Sequence, residues 1–149
     1  MSAVPFHYVD LRTFCYATED EKRVEAALRT FLPEETEIER DVTEGHHGDR
    51  IIILSVRLER ADEVRSVLAT LTELDDFDRL LEELEARIDD NCAFYIGVDK
   101  QTAFKKSVKL GEGIMLRGKV EAYPAKKERA IETATEALEE LSAHADDAG

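Results

Sequence analysis

The sequence predicts an α+β fold, in which a largely antiparallel sheet has its helices packed on one face. Two patterns predict this class: strand-like segments alternate with amphipathic helical segments, and two pairs of strand-like segments follow one another directly, as in hairpins. A chain of 149 residues with 43% apolar residues, seven glycines and three prolines has the size of one domain. We therefore expect a single domain over residues 1–142 and a short acidic tail over residues 143–149.

The first two elements are a strand and a helix. Residues 6–16 alternate in polarity, which places Val9 and Leu11 together on one face of a strand. Residues 18–21 have the pattern of a capping box, in which a threonine hydroxyl and a glutamate carboxylate satisfy the first free amides of a helix. The helix that follows ends at Pro33, because proline cannot join the hydrogen-bond ladder.

A hairpin follows the first helix. Residues 36–43 predict a polar strand at the sheet edge, and residues 51–59 begin with four apolar residues, which is typical of a buried strand. The loop at residues 44–50 contains two glycines, which supply the positive φ angles of a tight turn. A free edge strand can also pair with a second copy of the chain, so a homodimer is an open alternative.

The second half of the chain predicts two helices, two strands and a final helix. Residues 61–89 contain two amphipathic helices, broken near residue 75. Residues 92–99 and 113–123 are strand-like, and Pro124 begins the last helix. Period two places four side chains on the outward face of the last strand, namely Arg117, Lys119, Glu121 and Tyr123.

The charge of the chain is unevenly distributed. With 34 acidic and 20 basic residues the net charge is −14, which argues against generic binding to nucleic acid or to an anionic membrane. Seven of the eight lysines lie between residues 100 and 127, so residues 95–129 carry +5 and the remainder carries −19. An acidic surface with few lysines is typical of a high-salt (halophilic) cytoplasm; the alternative is an acidic protein with one neutralising patch.

The apolar segments and the cysteines indicate the compartment. No segment approaches the roughly 18 consecutive apolar residues of a membrane helix, and the N-terminus lacks a basic and apolar signal segment. We therefore expect a cytoplasmic protein without a membrane partner. Cys15 and Cys92 lie in apolar stretches without CxxC spacing, which predicts buried reduced thiols rather than a disulfide or a zinc site.

The lysine-rich link between the last two strands is the first candidate binding site. Basic side chains neutralise phosphates, amides and hydroxyls bind phosphate or ribose oxygens, and aromatic rings stack on bases. The expected RNA contacts here and on the next strand are Lys100, Gln101, Phe104, Lys105, Lys106, Lys109, Arg117, Lys119 and Tyr123. Tyr95, Phe104 and Tyr123 could stack on bases; the alternative is that Tyr95 and Phe104 pack in the core and the lysines form a solvated loop.

Two adjacent histidines form a second candidate. His46 and His47 stand between Glu44 and Asp49, and imidazoles with carboxylates can ligate a metal or perform acid–base chemistry. Neighbouring residues of a strand point to opposite faces, and no third ligand stands at a metal-binding spacing. We therefore assign both histidines to a structural or RNA-contacting loop, with RNA contact as the functional interpretation, and we expect no metal and no cofactor.

The motif content predicts a protein that is not an enzyme. The sequence has no Walker loop, no GxGxxG motif, no nucleophile elbow and no HExxH motif. Two other functions stay open. The basic patch could dock on an acidic protein of an RNA-processing complex, or His46, His47 and Asp49 could form a metal-dependent phosphoesterase. RNA competition separates the first alternative from RNA binding, and chelation identifies the second.

Four segments of the chain carry a family resemblance. They are RTFCYATE at residues 12–19, EGHHGD at 44–49 leading into IIIL at 51–54, YIGVDKQ at 95–101 and YPAK at 123–126. Together they resemble an archaeal family of RNA-binding proteins, also described as predicted exosome subunits. The family is similar in fold to a large-subunit ribosomal protein that binds 5S rRNA. The resemblance implies RNA as partner, rather than DNA, and a role in RNA processing, decay or ribosome-related assembly beside exosome or ribosome-associated proteins.

Overall fold

A five-stranded antiparallel sheet is the centre of the structure, which confirms the predicted α+β class. The computed structural model describes residues 4–148, with side chains for residues 4–144. The strands are β1 (Phe6–Cys15), β2 (Glu39–Glu44), β3 (Arg50–Leu58), β4 (Ala93–Asp99) and β5 (Gly113–Val120). Their spatial order is β2-β3-β1-β5-β4, and every neighbouring pair is antiparallel. β1 is therefore the central strand, with β2 and β4 at the edges.

The described residues form six helices. They are α1 (Glu21–Arg29), α2 (Ala61–Leu71), α3 (Phe77–Glu82), α4 (Leu84–Arg87), α5 (Lys100–Phe104) and α6 (Lys127–Ala148). Contacts join α1 and α2 to β1, α4 to β4 and α6 to β5, and α1 also packs against α5. Among the helices of residues 4–148, none is long and apolar enough to cross a membrane.

Alternation along β1 builds the core on one face of the sheet. Val9, Leu11, Thr13 and Cys15 point under the helices and are each at most 2% exposed. Thr13 is the single buried polar residue of this face in the described part of the chain, and its Oγ1 donates a hydrogen bond to the carbonyl of Gly113 at 2.6 Å. That bond satisfies the hydroxyl, which would otherwise destabilise the core. Both cysteines are buried free thiols, as predicted.

A pair of phenylalanines fills the core between β1 and the β4–β5 hairpin. The rings of Phe6 and Phe94 meet edge to face, with centroids 6.3 Å apart. Gly118 on β5 makes room for them, because a Cβ there would lie 2.9 Å from the Phe6 ring. Aromatic pairs in this geometry contribute about 0.5–1.5 kcal/mol beyond the area that they bury.

The start of α1 differs from the prediction. Asp20, rather than Thr18, caps the helix: its carboxylate accepts a hydrogen bond from the amide of Lys22 at 3.0 Å. The Glu21 carboxylate does not fold back on the cap, because it forms two bonds with Arg40 of β2 at 2.7 and 3.0 Å. The capping-box prediction is therefore wrong, and a cross-element ion pair takes the place of the local contact.

The last part of the chain also differs from its predicted boundaries. β5 ends at Val120 and α6 begins at Lys127, rather than at Pro124, so Tyr123 does not share the outward face of the strand. α5 forms inside the lysine-rich link between the last two strands, where no helix was predicted. α6 continues to Ala148, so the backbone of the expected acidic tail, residues 143–149, is helical up to that residue.

An ion pair connects α5 to the end of β1. Lys100 Nζ lies 2.8 Å from Glu19 Oε2 and donates to the carbonyl oxygen of Phe14 at 2.9 Å. The other Glu19 oxygen accepts from the Tyr16 amide at 3.1 Å. Burial raises the pKa of Glu19, but these hydrogen bonds from Lys100 and Tyr16 outweigh it and leave the pKa below its ordinary value.

Phe94→Ala tests the aromatic core. Phe94 is fully buried, so we expect the free energy of unfolding to fall by about 3–5 kcal/mol through lost burial and the remaining cavity. Urea denaturation at constant salt measures this change. Tyr123→Ala is the control, because Tyr123 is 77% exposed, and should change stability by less than about 0.5 kcal/mol. A loss for Phe94→Ala no larger than the control would contradict the packing.

Glu19→Gln tests the ion pair through its pH dependence. A carboxylate whose pKa is lowered by folding stabilises the protein above its unfolded pKa, here about 4.5, and loses that effect as the pH falls below it. We expect the variant to be less stable than the parent by about 1 kcal/mol at pH 7, and the gap to close between about pH 5 and pH 3. Glu25→Gln, at an exposed ion pair within α1, is the control. A gap that is constant with pH would disprove the contribution of the Glu19 charge.

Candidate nucleic-acid interface

The face of the sheet opposite the helices carries a concentration of arginine and aromatic side chains. Alternate residues of four strands form this surface, which we call the open face: Tyr8, Asp10, Arg12, Phe14, Ile53, Ser55, Arg57, Tyr95, Met115, Arg117 and Lys119. Phe14, Tyr95 and Met115 are 36%, 38% and 50% exposed. Large apolar side chains gathered on one exposed surface mark a binding site more often than a solvated face.

One row of side chains crosses the open face. The strand register aligns Arg57 of β3, Asp10 of β1, Arg117 of β5 and Tyr95 of β4. Arg57 binds both oxygens of Asp10, at 2.7 and 2.9 Å, and its guanidinium lies 4.1 Å from the centroid of the Tyr8 ring. The bonds to Asp10 hold the pKa of Arg57 well above its ordinary value. Arg57 is therefore a fixed cation whose charge Asp10 already neutralises.

Arg12 and Arg117 differ from Arg57 because neither forms an ion pair with a carboxylate of residues 4–144. The guanidinium carbon of each lies 5.8 Å from an aromatic centroid, Phe14 for Arg12 and Tyr95 for Arg117. Arg117 Nε is buried and has no hydrogen-bond partner within that same range. Both guanidinium groups are therefore held beside aromatic rings and form no ion pair among these residues, and a planar guanidinium of this kind can bind two oxygens of a phosphate group.

The open face is concave and electrically polarised. A depression of about 640 Å³ lies between Arg12, Arg117 and Met115 on one side and the β2 edge on the other. Its β2 side is acidic, with Glu37, Glu39 and Asp41. An anionic ligand is therefore repelled from β2 and attracted to β1 and β5.

The lysine loop, which we define as residues 105–109, lies at the end of the sheet where β1 and β4 finish. Lys105, Lys106 and Lys109 are exposed there. Asp99 caps α5 by accepting from the Thr102 hydroxyl and from its amide at 2.8 Å, and these bonds lower the pKa of Asp99. The capped helix α5 therefore fixes the start of the lysine loop, and the three lysines of the loop are exposed to solvent.

The other residues of the lysine-rich link have different surroundings. Phe104 is 37% exposed under the Arg23 guanidinium, 4.9 Å from the ring centroid, so it is a surface residue rather than a core residue. Phe104 and Gln101 both line a depression of about 730 Å³ between α1 and α5. Lys100, in contrast, is 15% exposed and engaged with Glu19. Its amine is therefore occupied by a structural ion pair.

The loop between β2 and β3, residues 45–49, which we call the histidine loop, lies at the same end of the sheet, towards the opposite edge. β3 begins where β1 ends, since Ile52 pairs with Cys15, and the exposed His46 and His47 precede β3 with ring centroids 5.7 Å apart. Within the residues that the structure describes, no group of three or more histidine, cysteine and acidic residues is arranged to hold a metal ion. Tyr123 lies beyond the end of β5, near Glu121 and Arg129 and away from the lysine loop.

The structure therefore divides the predicted contacts among several places. Arg117 and Lys119 lie on the open face, with Lys119 Nζ donating to the Asn91 carbonyl at its margin. The lysine loop and the histidine loop share one end of the sheet, and Tyr123 lies at the other. Sequence reasoning missed Arg12 as a site residue, and it identified Tyr95 only as a ring that could stack on a base. The alternation of residues 6–16 contained the signal for Arg12, but only the pairing of β1 with β5 places it beside Arg117.

Comparison with known proteins identifies the family. A family model described as RNA binding matches residues 8–120. An RNA-binding protein of Pyrococcus abyssi is 38% identical over 144 residues, which cover 89% of this chain and 94% of that protein. A solved DUF54 protein from Methanothermobacter thermautotrophicus is 38% identical with a TM-score of 0.78, over 89% of this chain and 98% of that chain.

A second solved structure agrees with these matches. A DUF54 family protein from Archaeoglobus fulgidus is 31% identical with a TM-score of 0.79, over 89% of this chain and 99% of that chain. The matched residues 8–120 run from the third residue of β1 to the end of β5, so they contain four strands in full and most of β1. The chain therefore belongs to this family of archaeal RNA-binding proteins.

Proposed function

We propose that the chain binds RNA through the open face and does so without catalysis. The observation that carries this proposal is the pair of guanidinium groups without an ion pair in residues 4–144, Arg12 and Arg117, placed beside exposed aromatic rings on the uncovered side of the sheet. Arginine binds phosphate through two parallel hydrogen bonds, and aromatic rings stack on bases of any sequence. The combination matches a nucleic-acid backbone with accessible bases better than it matches a small anion.

The basic residues at the sheet end extend this surface. Lys105, Lys106 and Lys109 of the lysine loop supply further backbone contacts, and Gln101 and Phe104 lie next to that loop. His46 and His47 contact RNA that passes over the β1–β3 end. Lys100 supports the end of β1 instead of binding phosphate, and Tyr123 lies outside the surface that the RNA covers.

Short-range contacts carry the affinity in this proposal. The net charge of −14 repels RNA at a distance, and at about 1 M salt the Debye length is only about 3 Å. Base stacking is less sensitive to salt than long-range attraction, and arginine–phosphate bonds act at contact distance although counterions compete with them. A high-salt cytoplasm, where screening removes the general repulsion, is the setting that suits such a surface.

The cellular role follows from the family resemblance. We place the protein in RNA processing or decay, in association with the exosome, or in ribosome-related assembly. Copurification from cell extract, with and without ribonuclease, tests this role separately from RNA binding itself. An exosome component retained after ribonuclease treatment supports direct association, and its absence under both conditions contradicts that part of the proposal.

Charge reversal on the open face tests the interface. The triple variant Arg12→Glu, Arg117→Glu and Lys119→Glu removes the proposed phosphate contacts, so we expect RNA binding to weaken by more than about tenfold. Fluorescence polarisation with labelled single-stranded and hairpin RNAs in about 2 M KCl measures the affinity where mainly close contacts persist. A second triple variant, in which Lys105, Lys106 and Lys109 are each replaced by Glu, should weaken RNA binding less than the open-face variant does.

A charge-matched control separates local contacts from net charge. Lys22→Glu, Lys126→Glu and Lys127→Glu together change the charge by the same amount on surfaces outside the open face. We expect this control to bind RNA nearly as the parent does. Equal losses in all three variants would show that only net charge matters, and unchanged binding by the open-face variant would disprove the interface. Binding of protein but not RNA to the basic residues would favour a docking module.

A further inference from the structure

A smaller cavity continues from the open face to the end of β1, and we infer that it holds an unpaired RNA base. This strand-end pocket, of about 320 Å³, is lined by Arg12, Phe14, Tyr16, Gly97, Gly111 and Met115, among others. The inference rests on the proposed function and makes it more specific: the preferred ligand is single-stranded RNA, or an unpaired nucleotide of a folded RNA, rather than a continuous duplex.

Two aromatic rings form one wall of the strand-end pocket. Phe14 and Tyr16 are stacked, with centroids 6.4 Å apart and planes inclined by 29°, and they are 36% and 50% exposed. Met115, also 50% exposed, lies across from Arg12 in the strand register. Flat apolar surfaces that are open to solvent are suited to a base, because every base has a flat π-face.

Glycines keep the opposite side of the pocket free of side chains. Gly97 of β4 and Gly111 approach so closely that a Cβ on Gly97 would lie 2.5 Å from the Gly111 carbonyl oxygen. The Gly111 amide donates to the Gly97 carbonyl at 3.1 Å, which fixes this approach. The Gly111 carbonyl occupies the position that a Cβ on Gly97 would take, so this side of the pocket is lined by closely packed backbone rather than by side chains.

The Lys100–Glu19 ion pair holds the aromatic wall in place. Lys100 Nζ binds the Phe14 carbonyl and lies 5.5 Å from the centroid of the Tyr16 ring, while Glu19 binds the Tyr16 amide. Both rings are therefore attached to a fixed backbone before any ligand arrives. A prearranged wall lowers the entropy cost of binding. Lys100 is thus a positioning residue.

The pocket is lined by Arg12 as well as by Glu112, and Arg12 is the group that favours a nucleotide over an apolar peptide as the occupant. The Arg12 guanidinium stands 5.8 Å from the Phe14 ring at the mouth of the pocket, where it can bind the phosphate of a nucleotide whose base is inserted. Bases within a duplex are stacked on each other and cannot enter such a pocket without leaving the helix. The pocket therefore discriminates between paired and unpaired RNA.

Fluorescence polarisation in about 2 M KCl with two labelled probes tests this inference: a single-stranded RNA of about 12 nucleotides and the blunt duplex made from it. The parent should bind the single strand about tenfold more tightly than the duplex. The double variant Phe14→Leu with Tyr16→Leu should lose that preference and keep the weaker binding through Arg12 and Arg117. Leucine preserves apolar bulk, and a thermal melt confirms folding.

The control is Tyr123→Leu, which removes an exposed ring outside the pocket and should keep the full preference. A 2-aminopurine in the single strand supplies a second signal, since its fluorescence should fall on binding to the parent and not on binding to the double variant. Equal affinity of the parent for both probes, or an unchanged preference in the double variant, would overturn the pocket and leave the open-face interface standing. If the parent binds neither probe, both the pocket and the open-face interface are overturned. Binding of an apolar peptide but of neither RNA probe would assign the pocket to peptide binding instead.

Discussion

The alternation of β1 in the middle of the sheet is the constraint on which the rest of the structure depends. β1 has a hydrogen-bonded neighbour on each side, so its side chains can leave the sheet only through its two faces. One set, which includes Leu11 and Thr13, is buried under the helices. The other set includes Arg12 and Phe14, which are exposed. The same register that builds the core therefore also builds the open face.

Much of this architecture could be predicted from the sequence, because it depends on local patterns. The polarity of residues 6–16 and the apolar start of β3 identified two strands, and the hairpin loop at residues 44–50 identified the pairing of β2 with β3; the central place of β1 in the sheet was not predicted. The capping box failed because Glu21 found a better partner in Arg40, a residue on another element. Short α5 was missed because Asp99 and Thr102, rather than an apolar stripe, define its start.

The candidate site was harder to predict, because it is made by strands that are distant in the chain. Lysine clustering drew attention to residues 100–109, where the structure assigns Lys100 to an ion pair with Glu19 and leaves the lysine loop at the sheet end. Arg117 was identified, but its neighbours Asp10 and Tyr95 follow from a register that joins β1, β5 and β4. Arg12 and Arg117 indicate a binding site because, in an acidic protein, neither has a carboxylate partner within residues 4–144. The sequence alone does not show which charged groups lie next to each other in the fold.

Photochemical crosslinking tests the central claim, that RNA lies on the open face, most directly. Ultraviolet irradiation of the complex with single-stranded RNA joins bases to the side chains that they touch, and mass spectrometry then locates the modified peptides. The account predicts crosslinks within β1 and its end, at Phe14 or Tyr16, and at Tyr95 of β4. Crosslinks confined to α6 or to the neighbourhood of Tyr123, with none on β1 or β4, would contradict it.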